Sequence, residues 1–186
     1  MNDQHSDDDR GWARFSNDEL MRYRLARSLD GERLRIEHGL VLGARCVFVM
    51  LNPSTADAFV GDPTVRECIE RARQLRADVL EVVNLFALRS PYPAELRKRA
   101  HGLRGDDAVN DAEILAACLG ARIVIAAWGN HGELGNRAYH VRQALRAHRV
   151  ELHHLGTTQE GYPKHPLARG KHRIPRGLQP IAWSTP

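Results

Sequence analysis

Six apolar residues in a row, Cys46-Val47-Phe48-Val49-Met50-Leu51, stop abruptly at Asn52-Pro53. A short run of this kind, rich in β-branched and aromatic side chains, reads as a strand covered on both faces. Proline has no N–H to offer a ladder, and Asn-Pro favours turn initiation, so the strand ends there. The next residues, Ser54, Thr55 and Asp57 among them, are small and polar or acidic. In α/β proteins ligands bind where a covered parallel strand delivers such a loop at its carboxyl end.

The rest of the chain repeats this unit. Asp62 as N-cap and Pro63 at the first helical position open a helix whose apolar stripe is Val65, Cys68, Ile69, Ala72 and Leu75. Val79 to Phe86 is a second strand, followed by a loop to Pro93 and a short helical turn over Pro93 to Lys98. Asp106-Asp107 cap a helix that Gly120 ends, and Arg122 to Trp128 is a third strand. Gly129 to Gly135 leads into a helix over 136–148, and Val150 to Leu155 is a fourth strand. Alternation of this kind predicts an α/β fold, a three-layer α-β-α sandwich with a mostly parallel central sheet. Met21 to Leu29 alternates with a period of two, as an edge or half-buried strand would. Residues 13–186 form one domain on this reading, and 1–12 a disordered acidic N-terminal lead.

Hydrophobic residues make up 42% of the 186 and charged residues 27%, the balance of a soluble globular protein. No signal-peptide core or membrane span is evident, so a cytoplasmic location is expected. The three cysteines, Cys46, Cys68 and Cys118, sit far apart inside apolar segments without metal-ligand spacing, as buried thiols do. His153 and His154 are adjacent on a strand and face opposite ways, so no metal site and no cofactor are expected. The net charge of +4 is compatible with nucleic acid without requiring it. Its distribution says more, because Lys164, Arg169, Lys171, His172, Arg173 and Arg176 crowd one end.

Four polar segments therefore leave the carboxyl ends of successive strands: Asn52 to Asp57, Asn84 to Pro93, Gly129 to Gly135, and Tyr162 to Pro166. Taken singly, each has a plain explanation. Asn52-Pro53 can be a strand-stopping turn, Asn84 a satisfied strand-end amide, His165 a surface histidine. The glycines after Trp128 suit a phosphate held by backbone N–H groups, although their spacing is neither a dinucleotide fingerprint nor a Walker loop. Parallel strands would bring all four segments to one rim, and that convergence outweighs each alone.

The motif order resembles the uracil-DNA glycosylase superfamily, through Met50-Leu51-Asn52-Pro53, Val82-Val83-Asn84-Leu85, Ala126-Ala127-Trp128-Gly129 and His165-Pro166. The likeness covers about 46–167 in motifs of two to four residues each. The longer string Met50-Leu51-Asn52-Pro53-Ser54-Thr55-Ala56-Asp57 resembles more closely an uncharacterised bacterial family, which implies no activity. The first resemblance implies a uracil-DNA-glycosylase-like fold and a DNA glycosylase acting on a uracil-like or damaged base, with DNA as partner and no iron–sulfur cluster. In it Asn52 would hold the attacking water and His165 would donate to the leaving base. Asn84 would read the base edge, Phe59 would stack on its face, and Pro53, Ser54, Gly129 and Asn130 would line the substrate site. Lys164, Arg169, Lys171 and Arg173 would grip phosphates, and the protein is expected to be a monomer. Met50 departs from the pattern, standing where the superfamily places a glycine. The alternatives are a nucleotide or phosphorylated small-molecule binding protein, and a non-catalytic nucleic-acid binder of the same fold.

Overall fold

The computed structural model describes residues 1–54, 57, 62–90, 96 and 106–183. Its N-terminal residues are no disordered lead: Asn2–His5 (β1) pairs antiparallel with Gly11–Phe15 (β2). Two of the acidic charges that suggested disorder, Asp3 and Asp8, are paired within this hairpin. Arg14 donates to both carboxylate oxygens of Asp3 at 2.8 and 2.9 Å, and Arg10 donates to Asp8 at 2.7 Å. Trp12 and Phe15 are wholly buried, so the hairpin is fastened by core packing as well as by charge.

Arg22–Ser28 (β3) was expected at an edge or half-buried, yet it lies inside the sheet, between β2 and the later strand Val79–Asn84. Opposite Arg14 and Phe15 stand Arg24 and Arg22, so β3 carries one extra residue there, a bulge that aims Arg22 and Arg24 differently. A small separate hairpin follows, Ile36–Glu37 (β4) with Leu40–Val41 (β5). The covered run forms Arg45–Met50 (β6), Pro63–Gln74 is the first helix (α1), and Val79–Asn84 is β7. Asp106–Cys118 (α2), Ile123–Ala126 (β8), Arg137–Ala147 (α3), Leu152–His154 (β9) and Ile181–Ala182 (β10) complete the order.

The eight-stranded sheet runs β1-β2-β3-β7-β6-β8-β9-β10. Only β7, β6, β8 and β9 are mutually parallel; β1 to β3 extend one side and β10 the other with antiparallel pairings. The expected mostly parallel sheet is therefore mixed. The strand–helix alternation identified the parallel centre, but nothing local in β3 indicated that it would run against β7.

Helices cover both faces. Cys46, Phe48, Leu80 and Val82 meet α1, whereas Val47, Val49, Val83 and Val124 meet α2 and α3. All three cysteines are buried and free, and burial pushes the Cys46 thiol up to about 12. No helix among the described residues is long and apolar enough to cross a membrane.

A buried ion network stitches the antiparallel and parallel parts of the sheet together. Glu81 on β7 is fully buried and accepts from Arg24 Nε at 2.6 Å and Arg45 Nη1 at 3.3 Å. Arg45 also donates to the carbonyls of Ala117 and Leu119, each at 2.6 Å, and so ties β6 to the end of α2. Glu113 of α2 lies 3.1 Å from Arg14 and 3.5 Å from Arg24. Burial holds the Glu81 carboxyl above its ordinary value, against the pull of the two arginines.

The start of α1 positions the polar loop before it. One Asp62 carboxylate oxygen accepts from the Val65 N–H at 2.7 Å, and the other accepts from the Ser54 hydroxyl. Asp62→Ala is expected to cost about 1–2 kcal/mol in urea unfolding, because cap and loop tie are lost together, while Asp62→Asn keeps most of it. Equal losses in the two variants would show that the carboxylate charge, rather than the cap, is what matters.

Candidate functional site

At the carboxyl ends of β6 and β8 opens a cleft of about 400 Å³. Met50, Leu51 and Asn52 line it from the end of β6, and Trp128, Gly129, Asn130 and His131 from the segment after β8. Thr158, Lys164, His165, Ala168 and His172 close it from the chain after β9. Three of the four expected segments thus share one rim. The chain turns to opposite sides of β6 to form β7 and β8, and this change of direction leaves the crevice.

The fourth segment, after β7, supports the cleft from behind. Leu85 and Phe86 N–H groups donate to the carbonyls of Met50 and Leu51 at 2.8 and 2.9 Å. Ser90 N–H donates to the Pro53 carbonyl at 3.1 Å, while Asn52 Nδ2 donates to the Ser90 carbonyl at 2.6 Å and to Pro53 O at 3.1 Å. Asn52 is therefore held by its nitrogen, and among the described residues no group donates to Oδ1, the end of the amide that can accept from a water or ligand. Pro53 is buried, and Ser54 is turned to the Asp62 cap, so both build the loop instead of offering groups to a ligand. Beneath the loop, Arg27 donates to the Asp57 carbonyl, and burial pushes the Arg22 guanidinium down to about 10. Phe59 and the helical turn expected over Pro93 to Lys98 fall outside the described residues, apart from Leu96, which is helical.

His165 opens a turn in which Leu167 N–H donates to its Nδ1 at 3.1 Å and Ala168 N–H donates to its carbonyl at 2.9 Å. With Nδ1 accepting, the neutral ring carries its proton on Nε2, a donor. Burial holds the imidazole below its ordinary 6.5, and Asp62 only partly offsets this. The ring is thus kept neutral.

Of the glycines after Trp128, Gly129 is held by a backbone bond and Gly132 has a packing role. Gly129 N–H donates to the Pro163 carbonyl at 2.8 Å, so it is not free for a phosphate. A Cβ at Gly132 would collide with the Trp128 indole, which fixes that glycine for close approach. Asn130 lies on the rim with Nδ2 3.0 Å from Glu160. Lys164 lines the cleft, whereas Arg169 and Arg173 line a neighbouring groove and Lys171 borders neither.

Asn84 stands apart from the other expected site residues. It is 1% exposed, does not line the cleft, and neither its Oδ1 nor its Nδ2 has a hydrogen-bond partner among the described residues. Its backbone carbonyl is held by Asn110 Nδ2 at 3.0 Å. Met50, its register partner on β6, lines the cleft in its place. An orphaned amide of this kind costs about 1–3 kcal/mol to bury, so its retention calls for a use.

Residues 22–167 match a family model, a span that takes in every cleft residue except Ala168 and His172. The chain belongs to the DUF1643 family. DUF1643 is described as a protein of unknown function, and its match begins at β3 and stops at Leu167, so Arg169, Lys171 and Arg173 lie beyond it. No curated protein and no solved structure matches the chain. Sequence reasoning about this DUF1643 chain missed Met50, Leu51, Trp128, His131, Thr158, Ala168 and His172 as cleft residues. His131, between Asn130 and Gly132, was the most accessible signal, since a histidine in a strand-end loop carries its own donor.

Proposed function

We propose that the cleft hydrolyses the N-glycosidic bond of a uracil-like or damaged base in DNA, in a fold of the uracil-DNA glycosylase type. The observation that carries this reading is the pairing of a water-accepting Asn52 Oδ1 with a neutral, Nε2-donating His165 in one base-sized cleft. Water held by Asn52 would add to the sugar carbon as the bond to the base breaks, the base leaving as an anion and the proton shed by the water passing to solvent. His165 Nε2–H would stabilise the negative charge that the departing base takes with it. Among the described residues the cleft lining contains no carboxylate but does contain Lys164 and three histidines, a donor-rich surface suited to an anionic leaving group. Without a carboxylate to accept the proton of water, such an enzyme depends on an oxocarbenium-like sugar and is slow. The unsatisfied Asn84 amide supports the reading as a base-edge reader, once Met50 yields its place. The engaged Gly129 N–H counts against a phosphate cradle for a free nucleotide.

The test incubates the protein with single- and double-stranded oligonucleotides carrying uracil, hypoxanthine or a mismatched thymine, and scores abasic sites by alkaline cleavage. Excision by the wild type is expected, with Asn52→Ala roughly ten- to a hundredfold slower at unchanged oligonucleotide affinity. Salt-sensitive binding without excision would replace this reading by a non-catalytic binder.

A further inference from the structure

We infer that a second groove, beside the cleft, holds the phosphodiester backbone of the strand whose base enters the cleft; this rests on the nucleic-acid reading above. The groove, of about 390 Å³, lies between the first turns of α1 and the segment 166–176, and Ala168 borders both cavities. Arg71, 4% exposed, fixes its wall. It donates to Glu67 at 2.9 Å and to the carbonyls of Pro175 and Ile174 at 2.8 and 3.2 Å, and Ile174 is itself buried in the core beneath α1.

Glu67 is therefore already neutralised, and the remaining charge in the groove is that of Arg169, Arg173 and Arg176. All three are exposed, and none has an ion pair or a side-chain hydrogen bond among the described residues. From Gly161 to Pro186 the sequence contains no Asp or Glu that could pair with them. The 3₁₀ turn Gly170–His172 divides its neighbours between the two cavities, with His172 on the cleft and Arg173 on the groove. Three guanidinium forks along a fixed concave wall match the spaced, doubly accepting oxygens of a phosphodiester chain. A strand with one nucleotide in the cleft would carry its neighbouring phosphates past Ala168 into this groove, so the ligand is a polynucleotide and not a mononucleotide.

The experiment measures fluorescence anisotropy of a labelled single-stranded DNA oligonucleotide carrying one uracil. Wild type is compared with Arg169→Ala, Arg173→Ala, Arg176→Ala and the triple variant, with Lys171→Ala as an exposed cation outside both cavities. Each groove variant is expected to bind roughly three- to tenfold more weakly and to lower the salt slope by about one, with Lys171→Ala closer to wild type. Binding of deoxyuridine monophosphate should be the same in wild type and triple variant. The inference is overturned if the triple variant keeps wild-type affinity and salt slope, or if Lys171→Ala loses as much as the groove variants. Uracil excision scored in the same samples separates the two ideas. Weakened binding in the groove variants with no excision by wild type removes the reaction and keeps the groove, whereas excision with unchanged binding removes only the groove.

Discussion

Glu81→Gln is expected to lower the stability of the folded chain by about 3–5 kcal/mol, read as a shift of the urea midpoint. The substitution keeps shape and burial while removing the one charge that faces both Arg24 and Arg45. Neither arginine can leave for water: Arg24 is 1% exposed and is held by the Gly39 carbonyl at 2.7 Å, and Arg45 is held by the end of α2. Among the described residues Arg24 would then keep only Glu113, 3.5 Å away at the edge of the network, and Arg45 would keep no carboxylate, only the carbonyls of Ala117 and Leu119. The carboxyl is already held above its ordinary value by burial, so the native structure tolerates the charge because of its partners. A loss below about 1 kcal/mol would mean that water reaches the arginines and that the network is ornamental.

The second large effect concerns His165. His165→Ala is expected to slow base excision by about a hundred- to a thousandfold, the scale of removing one donor from a developing anion. The pH dependence distinguishes this role from a packing role. Because burial lowers the folded value below 6.5, the ring stays neutral and donating through that pH and is protonated only further down. Protonation would leave Nε2–H in place but turn Nδ1 into a donor, breaking the Leu167 N–H bond that orients the ring. Excision should therefore hold steady as pH falls to 6.5 and decline with a midpoint below it. Stability follows the same sign: below 6.5 the unfolded chain takes up a proton that the folded chain refuses, so folding weakens as pH falls through that window and gains nothing above it. His165→Gln, which can still donate but does not titrate in this range, should retain part of the rate and lose the acid limb. A rate profile that is identical in wild type and His165→Gln would remove the histidine from the chemistry.

Much of the parallel centre was legible because its signals are local. The β-branched run of β6, the Asp62-Pro63 helix start and the Gly120 stop each act within a few residues, and each element formed where expected. What escaped depends on partners far along the chain. Arg22 and Arg24 alternate with apolar residues in the way a solvent-facing stripe does, and only Glu81 and Glu113 make Arg24 an interior residue. Asp3 and Asp8 read as the charge of a loose tail until Arg14 and Arg10 are folded against them. For the site, the parallel run of the strands placed Asn52 and His165 on a common rim but could not reveal that Met50 takes the cleft position beside a buried Asn84. Ser54 carried no sign that its hydroxyl belongs to a helix cap.

The position of β3 against β7 has a consequence in time. Residues 22–28 are synthesised early, but the strand they pair with lies more than fifty residues later, Arg24 and Glu81 being 57 apart. Closing a loop of that length costs about 3–4 kcal/mol of chain entropy before any contact rewards it. The β6–α1–β7 unit has no such wait, since its strands are joined by one helix. A newly made chain would thus assemble its parallel centre first, with the edge of β7 open and the Glu81 carboxylate lacking Arg24, and the oldest residues would be among the last to dock.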